Sequence, residues 1–175
     1  QLVQDAPGKI AGLGLTAGPV AGKPYTLPTG VKTTDMWLGM FMVPSTTPST
    51  AGVQIAQGDA VQKIIGSGYA VAVRIPLENT TDREIEVEFP RGLVVVNLNG
   101  QNQNGVLLAA ATTKVPAKST VTIALVMYCG NETLPGSLRN TPYQSSSAVV
   151  AASSTLNDFT ALLKDKKIGA ELYGA

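Results

Sequence analysis

The chain has 175 residues, one cysteine, no histidine and a formal net charge of +1, and only 14% of its residues are charged against roughly 25% in ordinary soluble domains. The missing histidine removes the usual general base and commonest metal ligand, and the lone Cys129 rules out an intrachain disulfide or a cysteine-based zinc site. No basic face is present to neutralise phosphates and no apolar run reaches the ~18 residues of a membrane span, so neither nucleic-acid binding nor a membrane span is expected.

Residues 1–57 hold eight Gly, six Pro and only five charged side chains, Asp5, Lys9, Lys23, Lys32 and Asp35. A flexible linker is usually more polar and a disordered arm more charged. The segment therefore reads as an ordered N-terminal arm that lies on its own domain or on a neighbouring copy. Gly12-Leu13-Gly14-Leu15-Thr16-Ala17 matches a dinucleotide-binding pattern, but Gly18-Pro19 follows at once. The helix whose N-terminus would bind phosphate has no room to form. Read instead as an extended strand, Ala11, Leu13 and Leu15 line one face while Gly12 and Gly14 leave the other nearly bare. Such a strand can pair at home or add to another copy's sheet. Ile10, Ala11, Gly12, Leu13, Gly14 and Leu15 are accordingly the candidate assembly interface. Residues 36–43 form the most apolar cluster, and Trp37, Met40 and Met42 there suit either a core strand or an interface.

From residue 58 the pattern turns to β. Residues 59–65 suit a short helix capped by Asp59, or a strand. Val71, Val73, Ile75 and Leu77 alternate with smaller or polar residues, and Glu84 to Phe89 alternates strictly. With the Asn79-Thr80-Thr81-Asp82 turn signal between them, these runs predict an antiparallel hairpin, with Pro76 at an edge or strand end. The nearly continuous apolar run 93–98 predicts a strand covered on both faces. A polar loop follows at 97–105 with two Asn-Gly pairs, then strands at 106–113 and 120–128, the second ending beside Cys129, read as a buried thiol. Residues 145–154 suit a further strand or a linker. Residues 155–168 predict one amphipathic helix, with Thr155 capping, Leu156, Phe159, Leu162 and Leu163 as its stripe, Lys164, Lys166 and Lys167 near its end, and Gly169 stopping it.

The order of Asn79-Thr80-Thr81-Asp82, Pro90-Arg91-Gly92, Pro116, Thr120-Val121 and Tyr128-Cys129 resembles that of uncharacterised bacterial secreted immunoglobulin-like β-sandwich modules. The resemblance spans residues 71–129, about a third of the chain, and carries no catalytic residue with it. The expected fold is mainly β: an immunoglobulin-like antiparallel β-sandwich with an extended N-terminal arm and one C-terminal α-helix. Its expected parts are the arm at 1–57, the sandwich core at 58–144, and a linker and helix at 145–175.

Glu84, Glu86 and Glu88 share one strand face, which suits a solvated surface better than a paired-carboxylate site. The 97–105 loop could offer amides to a sugar or carbonyls to a weakly held ion, but no aromatic platform accompanies it. Asn79-Thr80-Thr81 and Asn131-Glu132-Thr133 match the N-glycosylation pattern. No catalytic residue, metal site or cofactor is expected. The chain starts at Gln1, as a processed product would, and its composition suits a secreted protein. The expected function is that of a structural subunit of an extracellular filament or surface assembly, not an enzyme, with other copies of itself as partners. A viral capsid or tail protein is a variant of that reading. The alternative is a monomeric secreted adhesion or carbohydrate-binding module that meets surface glycans.

Overall fold

The computed structural model describes residues 9–15, 19–44, 53–55 and 60–164. Its elements in chain order are β1 (Gly22–Pro24), β2 (Val31–Lys32), β3 (Met36–Met40), β4 (Met42–Pro44), β5 (Val53–Ile55), β6 (Lys63–Gly66), β7 (Val71–Asn79), β8 (Ile85–Phe89), β9 (Leu93–Val95), β10 (Gly105–Val106), β11 (Ala111–Val115), β12 (Thr120–Cys129), β13 (Pro142–Gln144), β14 (Val149–Ala151) and α1 (Ser154–Leu162). The protein is thus mainly β, and its strands pair almost wholly antiparallel, in keeping with a β-sandwich.

One layer is built on the long pairing of β7 with β12, in which Ile75 faces Ile123. β2 and β3 both pair with the other side of β7, β13 extends the layer beyond β3, and β6 lies parallel to β12. The opposite layer contains β1, β14, β9 and β10 in that order, together with the β8–β11 pair. β10 also pairs with the end of β12, and Asn97 bridges Tyr143, so the layers are laced together at one end.

The alternation along the strands sorts their side chains between three clusters. Val71, Val73, Ile75 and Leu77 of β7 meet Ile123, Leu125 and Met127 of β12 and, from the other layer, Val87, Phe89, Leu93 and Val115. Trp37 and Tyr143 complete this core. In β9, Leu93 and Val95 face it while Val94 joins a second cluster with Leu13, Val106 and Leu156. That explains the uninterrupted apolar run, because α1 and the segment around Leu13 cover the outer face of the layer. A third cluster, of Met40, Ala72, Ala124 and Val126, lies outside β7 and β12 with Val61 against it.

Several expectations are corrected. β7 and β8 do not form a hairpin: β7 pairs with β12 and β8 with β11. The Asn79–Asp82 turn is an arch between layers, and each strand presents its apolar face across the core to the other. Pro76 sits inside a central strand. Its carbonyl accepts from Thr33 Oγ1 at 2.7 Å, and a strand residue's N and O point to the same side. The missing donor therefore faces the interruption between β2 and β3, where no ladder bond is lost. Of the two readings of residues 59–65, the strand is the one observed: Lys63–Gly66 forms β6 along the edge of β12. The 106–113 strand is divided into β10 and β11. Cys129 is exposed, because it ends β12 past Met127, the last core residue of that strand.

The helix begins two residues earlier than a cap at Thr155 implies. Ser153 caps it, accepting from Leu156 N at 2.9 Å, a contact worth about 1 kcal/mol. Leu156 is buried, whereas Phe159 and Leu162 are exposed. Residues 165–175, with the expected helix end, Gly169, Lys166 and Lys167, lie outside the described residues.

Candidate functional site

The laced end of the sandwich carries a dense network of side-chain amides. The loop between β9 and β10 and the loop between β12 and β13 run side by side there without regular ladders, so their backbone groups need other partners. A carboxamide supplies both a donor and an acceptor, and five of them do this work. Asn97 donates from Nδ2 to Pro142 O at 3.1 Å and accepts from Asn102 N at 3.3 Å. Asn102 donates to Gly136 O at 2.8 Å. Gln103 donates to Leu134 O at 2.8 Å and accepts from Asn131 N at 3.2 Å. Asn104 Oδ1 accepts from Asn97 N, and Asn131 Oδ1 from Asn104 N, both at 2.8 Å. From below, Tyr143 Oη donates to Gln103 O at 3.0 Å. Burial raises the Tyr143 phenol above its ordinary range, so it stays a neutral donor.

The N-terminal segment docks on this cluster. Leu13 N bonds to Ile10 O at 3.0 Å, closing a turn, and Gly12 and Gly14 take φ of +75° and +63°. Gly12 O then accepts from Asn104 Nδ2 at 3.1 Å and Asn131 Nδ2 at 3.3 Å. Gly14 N donates to Gly130 O at 2.7 Å, and Glu132 N to Gly14 O at 3.2 Å. Leu13 is only 6% exposed and sits over Gly130. A β-carbon on Gly130 would come 2.9 Å from Leu13 Cδ2 and from Asn104 O, so only glycine leaves the seat open.

The expected interface residues therefore fare unequally. Ile10 packs partly against the second cluster and Leu13 is its anchor. Gly12 and Gly14 supply backbone bonds, while Ala11 and Leu15 are exposed, Leu15 by 75%. The strand with Ala11, Leu13 and Leu15 on one face is corrected: the segment is a turn with a single parallel bridge from Gly14 to Asn131, because two residues at positive φ reverse the chain. Trp37 and Met40 are each 1% exposed inside the molecule, and the side chain of Met42 lies outside the described residues. Sequence reasoning noted the loop amides but missed that Asn131, thirty residues on in a separate loop, completes them. The one available signal was another asparagine in a glycine-flanked turn.

Between the docked segment and the two loops lies an open cleft of about 380 Å³, lined by Leu15, Val96, Leu134, Asn102 and Thr133 among others. The carbonyl oxygens of Asn97, Gln103, Asn104 and Asn131 already accept backbone N–H groups, so a cation drawn to them would have to displace those bonds. Among the described residues no three His, Cys, Asp or Glu side chains come together. Glu84, Glu86 and Glu88 lie on an exposed face, where Glu84 pairs with Lys114 at 3.2 Å. No protein-family model matches the chain, and neither a curated protein nor a solved structure resembles it at a significant level.

Proposed function

We propose that the chain is a structural subunit of an extracellular filament or surface assembly, built by seating residues 10–15 of one copy in the amide-lined groove of the next. The observation that carries this reading is how self-contained the seat is. Leu13 fills a socket over Gly130, Gly14 makes two backbone bonds, and Gly12 O takes two amide donors. Among the described residues, every hydrogen bond the segment makes beyond itself goes to the loops at 104 and 130–132. An identical segment from another copy would make the same contacts, so exchange loses none of them. Concentration and the reach of the connecting residues then set the balance. A head-to-tail exchange propagates into a filament unless its rotation closes a ring. The low charge and single cysteine agree with an extracellular setting, and the layered antiparallel sheets agree with an immunoglobulin-like sandwich.

The test is particle size against concentration, by light scattering and negative stain. The wild-type chain should form large species, and a chain lacking residues 1–15, which keeps β1, should remain a folded monomer. A wild-type chain that stays monomeric at high concentration refutes the proposal. The cleft itself favours a second reading, a carbohydrate-binding or adhesion module, since exposed Asn99 and Gln101 stand near it. That reading requires glycan retention that falls when these two amides are replaced by alanine.

A further inference from the structure

We infer that the loop at 97–105 holds one chemically live Asn-Gly pair, Asn99–Gly100, and one that the fold keeps inert, Asn104–Gly105. In such a pair the glycine backbone nitrogen attacks the asparagine Cγ. The new C–N bond closes a succinimide, the Cγ–Nδ2 bond breaks, and ammonia leaves with the proton. Water then opens the ring at either carbonyl, giving aspartate or isoaspartate. Water is the sole co-reactant. The step needs a side chain free to turn over the next nitrogen and space around that glycine.

Asn99 meets both needs. It is exposed, and its side chain is engaged by a single bond among the described residues, in which Oδ1 accepts from Gln101 N at 3.0 Å. Gly100 is exposed at φ +65°, and a β-carbon there would meet nothing within 4 Å. Asn104 meets neither. Its Oδ1 is held by Asn97 N and its Nδ2 by Gly12 O. Gly105 is buried in β10 between Val95 and Cys129, where a β-carbon would come 2.6 Å from Met127 Cε. Releasing the two side-chain hydrogen bonds alone makes the reactive geometry at Asn104 about 20-fold rarer, before any opening of β10.

The consequence reaches the site. Gly100 lines the cleft, so reaction at Asn99 puts a carboxylate on its otherwise neutral amide rim. It also takes the formal net charge from +1 to zero, where charge repulsion between copies is weakest and association is favoured. The isoaspartate product adds a methylene to the backbone of the turn. The inference stands apart from the assembly reading, since it concerns the loop chemistry of a single chain.

The test is incubation of the folded chain in isotope-labelled water at mildly alkaline pH, followed by peptide mapping, beside a denatured sample. Label should enter residue 99 at least about 5-fold faster than residue 104 in the folded chain, the net of two bonds released at Asn104 against one at Asn99, and at similar rates in the denatured one. Asn99→Gln should abolish the early mass gain of the intact protein. Equal rates at 99 and 104 in the folded chain overturn the inference, as does a folded chain in which 99 stays unreacted while the denatured chain reacts at both.

Discussion

Replacing Asn79 by aspartate exchanges one atom in a buried polar side chain that is 1% exposed. Its Nδ2 donates to Arg83 O at 2.7 Å, Val115 O at 3.0 Å and Pro116 O at 3.1 Å. Its Oδ1 accepts from Thr81 N at 2.9 Å and Thr81 Oγ1 at 2.8 Å. The amide thus ties the end of β7 to the arch before β8 and to the turn after β11. In Asn79→Asp the accepting side is unchanged, but an oxygen now faces three carbonyl oxygens. Ionised, it leaves those carbonyls without their donor and buries a charge, a loss of about 3–5 kcal/mol. Protonated, it regains one donated bond. The fold therefore raises this carboxyl's pKa above the unfolded value of about 3.9. A raised acid contributes stability that is complete below the unfolded pKa and is lost as pH rises through the folded one. Urea midpoints of variant and wild type, compared from acid to neutral pH, should diverge as pH rises. A gap under about 1 kcal/mol at neutral pH, or one that does not change with pH, refutes the reasoning.

Three further outcomes are expected. Thr113, 2% exposed on the inner face of β11, has a buried hydroxyl with no hydrogen-bond partner among the described residues; Thr113→Val should raise the thermal midpoint by removing a buried unpaired group worth about 1 kcal/mol, and a fall would show that the hydroxyl is satisfied. Leu13→Ala should cost about 2–3 kcal/mol locally, read as faster hydrogen exchange at Gly14 N and Glu132 N with unchanged protection in β7 and β12; uniform loss across the sheets would make Leu13 a global core residue instead. Burial raises the phenol of Tyr143 above its ordinary value of about 10, so its contribution is complete below pH ~10 and falls as pH rises beyond it. Tyr143→Phe should cost about 1 kcal/mol at neutral pH through the lost bond to Gln103 O and flatten the alkaline limb of the stability curve, whereas a variant with the wild-type limb would assign that limb to another group.

The glycosylation patterns show how a short motif and its surroundings differ. At Asn79 the amide nitrogen is enclosed by three carbonyls, and at Asn131 it reaches Gly12 O beneath the docked segment. Both amides serve the backbone of their own chain. Threonine two residues on means, at Asn79, a hydroxyl and an amide that bond back to Oδ1 in an Asx-type turn. The same three residues encode a turn as readily as a modification signal, and their burial separates the two.

Local pattern determined a good deal of this protein. The alternation in β7, β8 and β12 fixed which side chains point inward, the apolar run of β9 announced a strand covered on both faces, and the stripe at Leu156 announced a docked helix. These are properties of a two-residue or 3.6-residue period, and neighbours in sequence set them. Tertiary structure alone decided which strand lies beside which. Alternation buries a face without naming the partner that covers it, so β7 and β8 read as a hairpin although the chain arches between layers. It likewise decided that Pro76 can sit in a central strand, at the interruption between β2 and β3. The glycines at 12 and 14 leave the backbone free to extend or to turn, and it was the socket over Gly130 and the amides of Asn104 and Asn131, more than ninety residues away, that selected the turn.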